Sequence, residues 1–136
     1  MFHSLLEMAK EDHKSGCGDF VYYPNIDTYW EKLQKKAEFI VHLTEGQSAG
    51  FIAFYCNDEK KEESFISLML VSPRFRKKSI ATNLVHSVLS ITRLRMFKKC
   101  ALEVEKDNYK ALSLYKKMGF SITEERELSY IMKKTV

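Results

Sequence analysis

Residues 64–71, Ser-Phe-Ile-Ser-Leu-Met-Leu-Val, are a nearly unbroken apolar run of strand length. A strand with one wet face alternates apolar and polar side chains, so this run reads as a strand covered on both faces. It leads through Pro73 into Arg74-Phe75-Arg76-Lys77-Lys78-Ser79. Beyond that turn Ile80, Leu84, Val88 and Ile91 form a helical stripe. Ala101–Glu105 then reads as another short strand. A helix between two strands permits a parallel crossover, which makes the sheet mixed.

The remaining pattern fits around this unit. Residues 2–14 read as a helix with Phe2, Leu5, Leu6 and Ala9 on one face, stopped by Ser15-Gly16-Cys17-Gly18. Asn25 or Asp27 can cap a second helix that turns Tyr29, Trp30, Leu33 and Ala37 inward. Strands at 39–43 and 49–55 make a hairpin about Glu45-Gly46-Gln47. Asn108 can cap a last helix carrying Ala111, Tyr115 and Met118 on one face, and Gly119 ends it in a left-handed conformation. Strands at 120–125 and 128–133 close the chain. The order predicts an α/β (α+β) domain, a mixed central sheet of about six strands flanked by four helices. At 136 residues there is room for one domain, 1–136, with a helical region over 1–37 and the sheet over 38–134.

Composition excludes more than it selects. Apolar residues are 45% and charged residues 29%, as in ordinary globular proteins. Cys17, Cys56 and Cys100 have no metal-ligand or disulfide spacing, so free thiols in a reducing cytoplasm are expected, with no metal. The first thirteen residues lack the apolar core of a signal peptide, and no run is long enough to cross a membrane. Residues 1–71 hold seven Lys/Arg against twelve Asp/Glu, a balance of −5; residues 72–136 hold fifteen against six, a balance of +9. The basic half suits an anionic ligand, and the acidic half a cationic one.

The turn at 74–79 is where an anion would bind. The N-terminus of a helix gathers unpaired N–H groups and the positive end of its dipole. Arg74, Arg76, Lys77 and Lys78 add charge there, and Ser79 can cap the helix or donate to a phosphate oxygen. A diphosphate is the natural ligand.

Val71-Ser72-Pro73-Arg74-Phe75-Arg76-Lys77-Lys78-Ser79-Ile80-Ala81-Thr82-Asn83-Leu84 resembles the acetyl-CoA signature of the GNAT superfamily, Val-x-Pro followed by Arg/Gln-x-x-Gly-x-Gly/Ala. Asn108-Tyr109-Lys110-Ala111 through Tyr115 to Gly119-Phe120 resembles the second signature, Asn-x-x-Ala-x-x-x-Tyr-x-x-x-Gly-Phe. The likeness covers about residues 38–134. Lys77 and Ser79 stand where the family has glycine, and the family's first strand has almost no room before Phe2.

The resemblance implies the acyl-CoA N-acyltransferase fold and acetyl transfer from acetyl-CoA to a primary amine by direct attack in a ternary complex. It implies a bulged strand at 64–71, splayed from its neighbour so that Met69, Leu70 and Val71 bind the pantetheine arm, with the Leu70 N–H as oxyanion donor. Arg76, Lys77, Lys78, Ser79, Ile80, Ala81 and Thr82 would hold the pyrophosphate. Asn108 would touch the pantetheine or orient its loop, and Tyr115 would protonate the leaving thiolate. The general base stays open among Glu103, His42, Tyr55 and a water chain. Tyr22, Tyr23, Tyr55 and Asn57 are expected at the acceptor site, which suits an amino sugar, amino acid or peptide amine. The expected protein is a cytoplasmic monomer or homodimer with no nucleic-acid or membrane partner. A catalytically silent acyl-CoA-binding or protein-interaction domain is the alternative, and a basic nucleic-acid-binding module the third.

Overall fold

The computed structural model describes residues 5–10, 26–75 and 79–136. Residues 5–10 are helical (α1). There follow α2 (Ile26–Lys36), β1 (Glu38–Thr44), β2 (Gln47–Tyr55), β3 (Glu63–Val71) and a 3-10 turn at Pro73–Phe75. After these come α3 (Ile80–Leu94), β4 (Lys99–Glu105), α4 (Tyr109–Lys117), β5 (Ser121–Glu125) and β6 (Ser129–Thr135). The element order is the expected one. The stop signal at 15–18, Asn25 and the ends of the 2–14 helix lie outside the described residues; Asp27 sits inside the first turn of α2 rather than capping it.

Six strands form one sheet in the order β1-β2-β3-β4-β6-β5. Every neighbouring pair is antiparallel except β3 and β4, which α3 joins by the parallel crossover. The β1–β2 turn places Glu45 and Gly46 at φ 53° and 78°, the left-handed pair of a two-residue hairpin.

Two apolar clusters cover the sheet. On one side Leu5 and Ala9 of α1 and Tyr29, Trp30 and Leu33 of α2 pack on Phe51, Ala53, Leu68 and Leu70. On the other, α3 and α4 pack on Ile52, Phe54, Ile66, Met69, Leu102 and Val104. Strand β3 is thus buried on both faces, as its composition requires. The end of α3 is pinned by Arg95, which donates to both carboxylate oxygens of Glu38, at 2.5 and 2.7 Å, and to the Cys56 carbonyl at 3.3 Å. These hydrogen bonds hold the Glu38 carboxyl below its ordinary pKa. Inside, the Ser64 and Thr92 hydroxyls pair at 2.8 Å, and Thr92 donates to the Val88 carbonyl at 2.7 Å.

Gly50 sets how closely α3 approaches the sheet. A Cβ there would lie 2.9 Å from the Leu70 carbonyl oxygen and 3.2 Å from Ile80 Cγ2. The oxygen belongs to the backbone and cannot swing away. Gly50→Ala should therefore destabilise the fold by about 1–3 kcal/mol, read from the midpoint of denaturant unfolding; an unchanged midpoint would mean that α3 is free to shift.

Candidate active site

The parallel ladder between β3 and β4 is short. It runs from Glu63 opposite Lys99 to Ile66 opposite Leu102, and then stops. Both strands continue, β3 to Val71 and β4 to Glu105, each still paired on its far side, to β2 and to β6. The two inner rims part between these anchors and leave a gap floored by the last shared pair.

The cause is one extra residue. On β2, Ala53 lies opposite Leu68, but the next residue, Phe54, lies opposite Ile66. Ser67 is skipped and forms a β-bulge, which bends the strand and ends its pairing. The bulge also changes which side chains share a face. Ile66 and Met69 face α3, while Leu68 and Leu70 face α2.

Backbone direction follows from the same register. Ser72 N–H donates to the Ala49 carbonyl at 2.8 Å, so Ser72 points its polar groups at β2. The Leu70 carbonyl also points that way, crowding Gly50. Because N–H and C=O of one residue leave a strand on the same side and alternate along it, Leu70 directs its amide at β2. Met69 and Val71 direct theirs into the gap. The expectation for the Leu70 N–H is corrected accordingly: the rim donors are its two neighbours.

At the open end of the gap stands the start of α3. Ser79 is in the left-handed region, φ 57° and ψ 22°, and its side chain makes no capping bond. Its carbonyl accepts from Asn83 N–H at 3.1 Å and begins the helix. Ile80, Ala81 and Thr82 are thus the first helical residues, whose N–H groups have no carbonyl inside the helix. Arg74 stacks over Phe75, its Cζ 5.5 Å from the ring centre. Arg76, Lys77 and Lys78 lie outside the described residues, as do Tyr22 and Tyr23.

The opposite rim is β4. Glu103 is the first residue past the last shared pair. Its Oε2 accepts from the Ser129 hydroxyl at 2.5 Å and sits 3.4 Å from Arg126. Among the described residues Oε1 has no hydrogen-bond or ion-pair partner. Glu105 is two residues on, its carboxyl pKa raised by burial and then by Asp107. Asn108 accepts from Ala111 N–H at 3.2 Å and caps α4. Tyr115 is buried on the inner side of α4, edge-on to Phe120 with ring centres 5.6 Å apart.

Not every expected residue reaches this place. Tyr55 pairs with Phe65, just short of the floor of the gap, and packs on the α2 side. Asn57 is exposed two residues past the end of β2, because an antiparallel β2 runs away from the open end. His42 is on edge strand β1, two strands from the gap. Sequence reasoning missed Ser67, Ser129 and Arg126. A surface cavity of about 520 Å³ beside Phe97, Lys99 and Val136 is at the other end of β4 and takes no part.

A bulged strand splayed from its parallel neighbour, with a left-handed residue opening the next helix, is the geometry that the two sequence signatures implied. The chain belongs to the acetyltransferase (GNAT) family, whose sequence profile matches residues 2–120. The match therefore includes the N-terminal helical region as well as the sheet. An uncharacterised N-acetyltransferase of Methanocaldococcus jannaschii is 33% identical over 106 residues, 74% of this chain and 46% of that protein. The mouse cysteine-rich protein 2-binding protein is 34% identical over 116 residues, 85% of this chain and 14% of that protein. The chain thus spans less than half the length of these relatives. Ard1 of Thermoplasma volcanium superposes with a TM-score of 0.80 at 26% identity, over 99% of this chain and 90% of that one. PaiA N-acetyltransferase of Thermoplasma acidophilum, solved with coenzyme A, has the same fold at TM-score 0.78 and 19% identity, over 99% and 92%.

Two outcomes are expected here. Ser79→Gly removes the left-handed strain and should raise unfolding stability by up to about 1 kcal/mol; a clear loss would make the serine hydroxyl a structural partner. Cys56 and Cys100 are buried, and burial pushes their thiols up, Cys100 to about 11. Both should resist iodoacetamide at pH 8 until the protein unfolds, and rapid labelling of either would show an open core.

Proposed function

We propose that this protein is an acetyl-CoA-dependent N-acetyltransferase that acts on a primary amine by direct attack in a ternary complex. The observation that carries the reading is the gap. Two strands in the middle of a sheet leave inner backbone groups unpaired with each other, and such groups are costly unless a ligand or water meets them. An extended amide-bearing arm fits between the rims as a strand would, and the uncapped start of α3 faces the end where its phosphates would lie. Acetyl-CoA supplies an activated thioester carbonyl and a thiolate leaving group.

The chain's own residues then have distinct tasks. The N–H groups of Met69 and Val71 lie two residues apart on an extended strand, too far to share one acceptor, so one of them can donate to the thioester oxygen as charge develops on it and the other to the pantetheine arm. Glu103, oriented through one oxygen by Ser129 and Arg126, offers the other to the incoming ammonium group or to a water that takes its proton. Tyr115 donates its phenolic proton to the departing sulfur. Asn108 fixes the start of the helix that carries Tyr115. Among the described residues, Cys56 and Cys100 are too deeply buried to accept an acyl group.

For the acceptor, we propose that a peptide or protein amine be tried ahead of an amino sugar. A ribosomal-protein-S18-alanine N-acetyltransferase of Escherichia coli shares the fold, with a TM-score of 0.74 at 18% identity. Small amines remain the comparison set in the assay.

Calorimetric titration should give micromolar binding of acetyl-CoA, with ATP much weaker. Absence of binding by acetyl-CoA and coenzyme A alike would leave a catalytically silent family member. Tyr115→Phe should keep acetyl-CoA affinity and lose turnover by about a hundredfold; unchanged turnover across pH would remove Tyr115 from the chemistry.

A further inference from the structure

The bulge decides which amides face the gap, so whatever holds the bulge controls the cofactor rim. Ser67 belongs to neither ladder: β2 skips it, and the pairing with β4 ends one residue earlier. Its carbonyl is met from outside the sheet. The Tyr29 hydroxyl donates to the Ser67 carbonyl at 3.1 Å and lies 2.9 Å from Ser67 Oγ. One proton arrangement satisfies both contacts, with Tyr29 donating to the carbonyl and the Ser67 hydroxyl donating to the phenol oxygen.

Tyr29 cannot easily withdraw from this role. It is 5% exposed, on a helix fixed by Trp30, whose ring meets Phe39 and Phe51 edge-on at 5.6 and 5.8 Å. Helix α2 therefore brings its hydroxyl to a fixed point over β3. Beside that point the strand has an easy alternative. If the extra residue were displaced along β3 beyond Val71, the strand would slip by one against β2, the Leu70 amide would face the gap in place of those of Met69 and Val71, and Leu68 and Leu70 would change faces. Both faces are apolar, so burial alone opposes such a slip weakly. The carbonyl under Tyr29 distinguishes Ser67 from its neighbours.

We propose that Tyr29 is a positioning residue whose hydroxyl holds the bulge at Ser67, and so fixes the register at which Met69 and Val71 present their amides to the acyl-CoA gap. The second half of this statement rests on the function proposed above; the first does not. It links helix α2 on one face of the sheet to the backbone of β3 at the edge of the gap.

Two variants test it. Tyr29→Phe keeps the ring and removes the donor. Ser67→Ala keeps the carbonyl that Tyr29 holds. In the unliganded protein, hydrogen exchange of the peptide spanning residues 66–70 should quicken about tenfold in Tyr29→Phe, as expected for one lost hydrogen bond, and stay within about twofold of wild type in Ser67→Ala. With ligand, Tyr29→Phe should weaken acetyl-CoA binding and raise its KM about tenfold, leaving the KM of the amine unchanged. Wild-type exchange in Tyr29→Phe overturns the proposal, as does an equal loss in Ser67→Ala, which would assign the effect to the hydroxyl pair. If wild type binds no acetyl-CoA, the exchange result still decides the bulge, and only the functional reading falls.

Discussion

Everything in this molecule that bears on chemistry depends on two strands failing to stay together. β3 and β4 share four residue pairs and then part, although neither ends there. The separation is stable because each strand is held on its other side. β2 follows β3 to its last residue and β6 follows β4 throughout, so each half of the sheet is a complete antiparallel unit. The cost of the gap falls on the inner rims alone. Unpaired backbone in mid-sheet invites another strand, and a ligand with amides of its own is such a strand.

The two sides of the sheet then do different work. On one side, α3 crosses from β3 to β4 and sets its uncapped first turn at the open end of the gap, as close as the bare Cα of Gly50 allows. On the other, α1 and α2 cover Phe51, Leu68 and Leu70. The bulge makes both coverings possible at once, because it turns Ile66 and Met69 to one side and Leu68 and Leu70 to the other. A regular strand would have kept Ile66, Leu68 and Leu70 together.

Much of the fold was legible in the residues, and the misses have physical causes. The helical stripe from Ile80 to Ile91 and the doubly apolar run before it already required a crossover beneath a covered strand. Gly119 adopts φ 97° at the end of α4, as its place after Met118 indicated. Ser79 adopts the left-handed conformation that the family's glycine would take, so the serine changed the strain and kept the shape. The rim donors could not be read. Alternation reveals a bulge only where one face is polar, and from Leu68 to Leu70 every residue is apolar, so nothing marks the residue at which parity breaks. Asn57 failed for another reason: closeness in sequence to the sheet does not give the direction in which the strand before it runs. Tyr29 read only as core, since a pattern of apolar positions carries no information about where a phenol's oxygen ends.

The gap also has a polarity of its own, which bears on the acceptor more directly than net charge does. The β3 rim carries no carboxylate between Ser67 and Val71 and turns both the N–H and the C=O groups of Met69 and Val71 inward. The β4 rim carries Glu103 and Glu105 on one face, since they are two apart. In the reaction we propose, negative charge grows on the thioester oxygen while an ammonium approaches and sheds a proton. An N–H group of β3 suits the first and a carboxylate carried by β4 suits the second. The acidic excess of residues 1–71 says only that a cation would be welcome nearby. Leu102 and Val104 pack toward α3 and α4, so Glu103 and Glu105 project on the opposite face of the sheet, where Ser129 and Arg126 leave one oxygen of Glu103 uncommitted among the described residues. In the reaction we propose, the acceptor amine meets Glu103 on that face, and the residues that choose among amines are those that border that approach rather than the strands that define the fold.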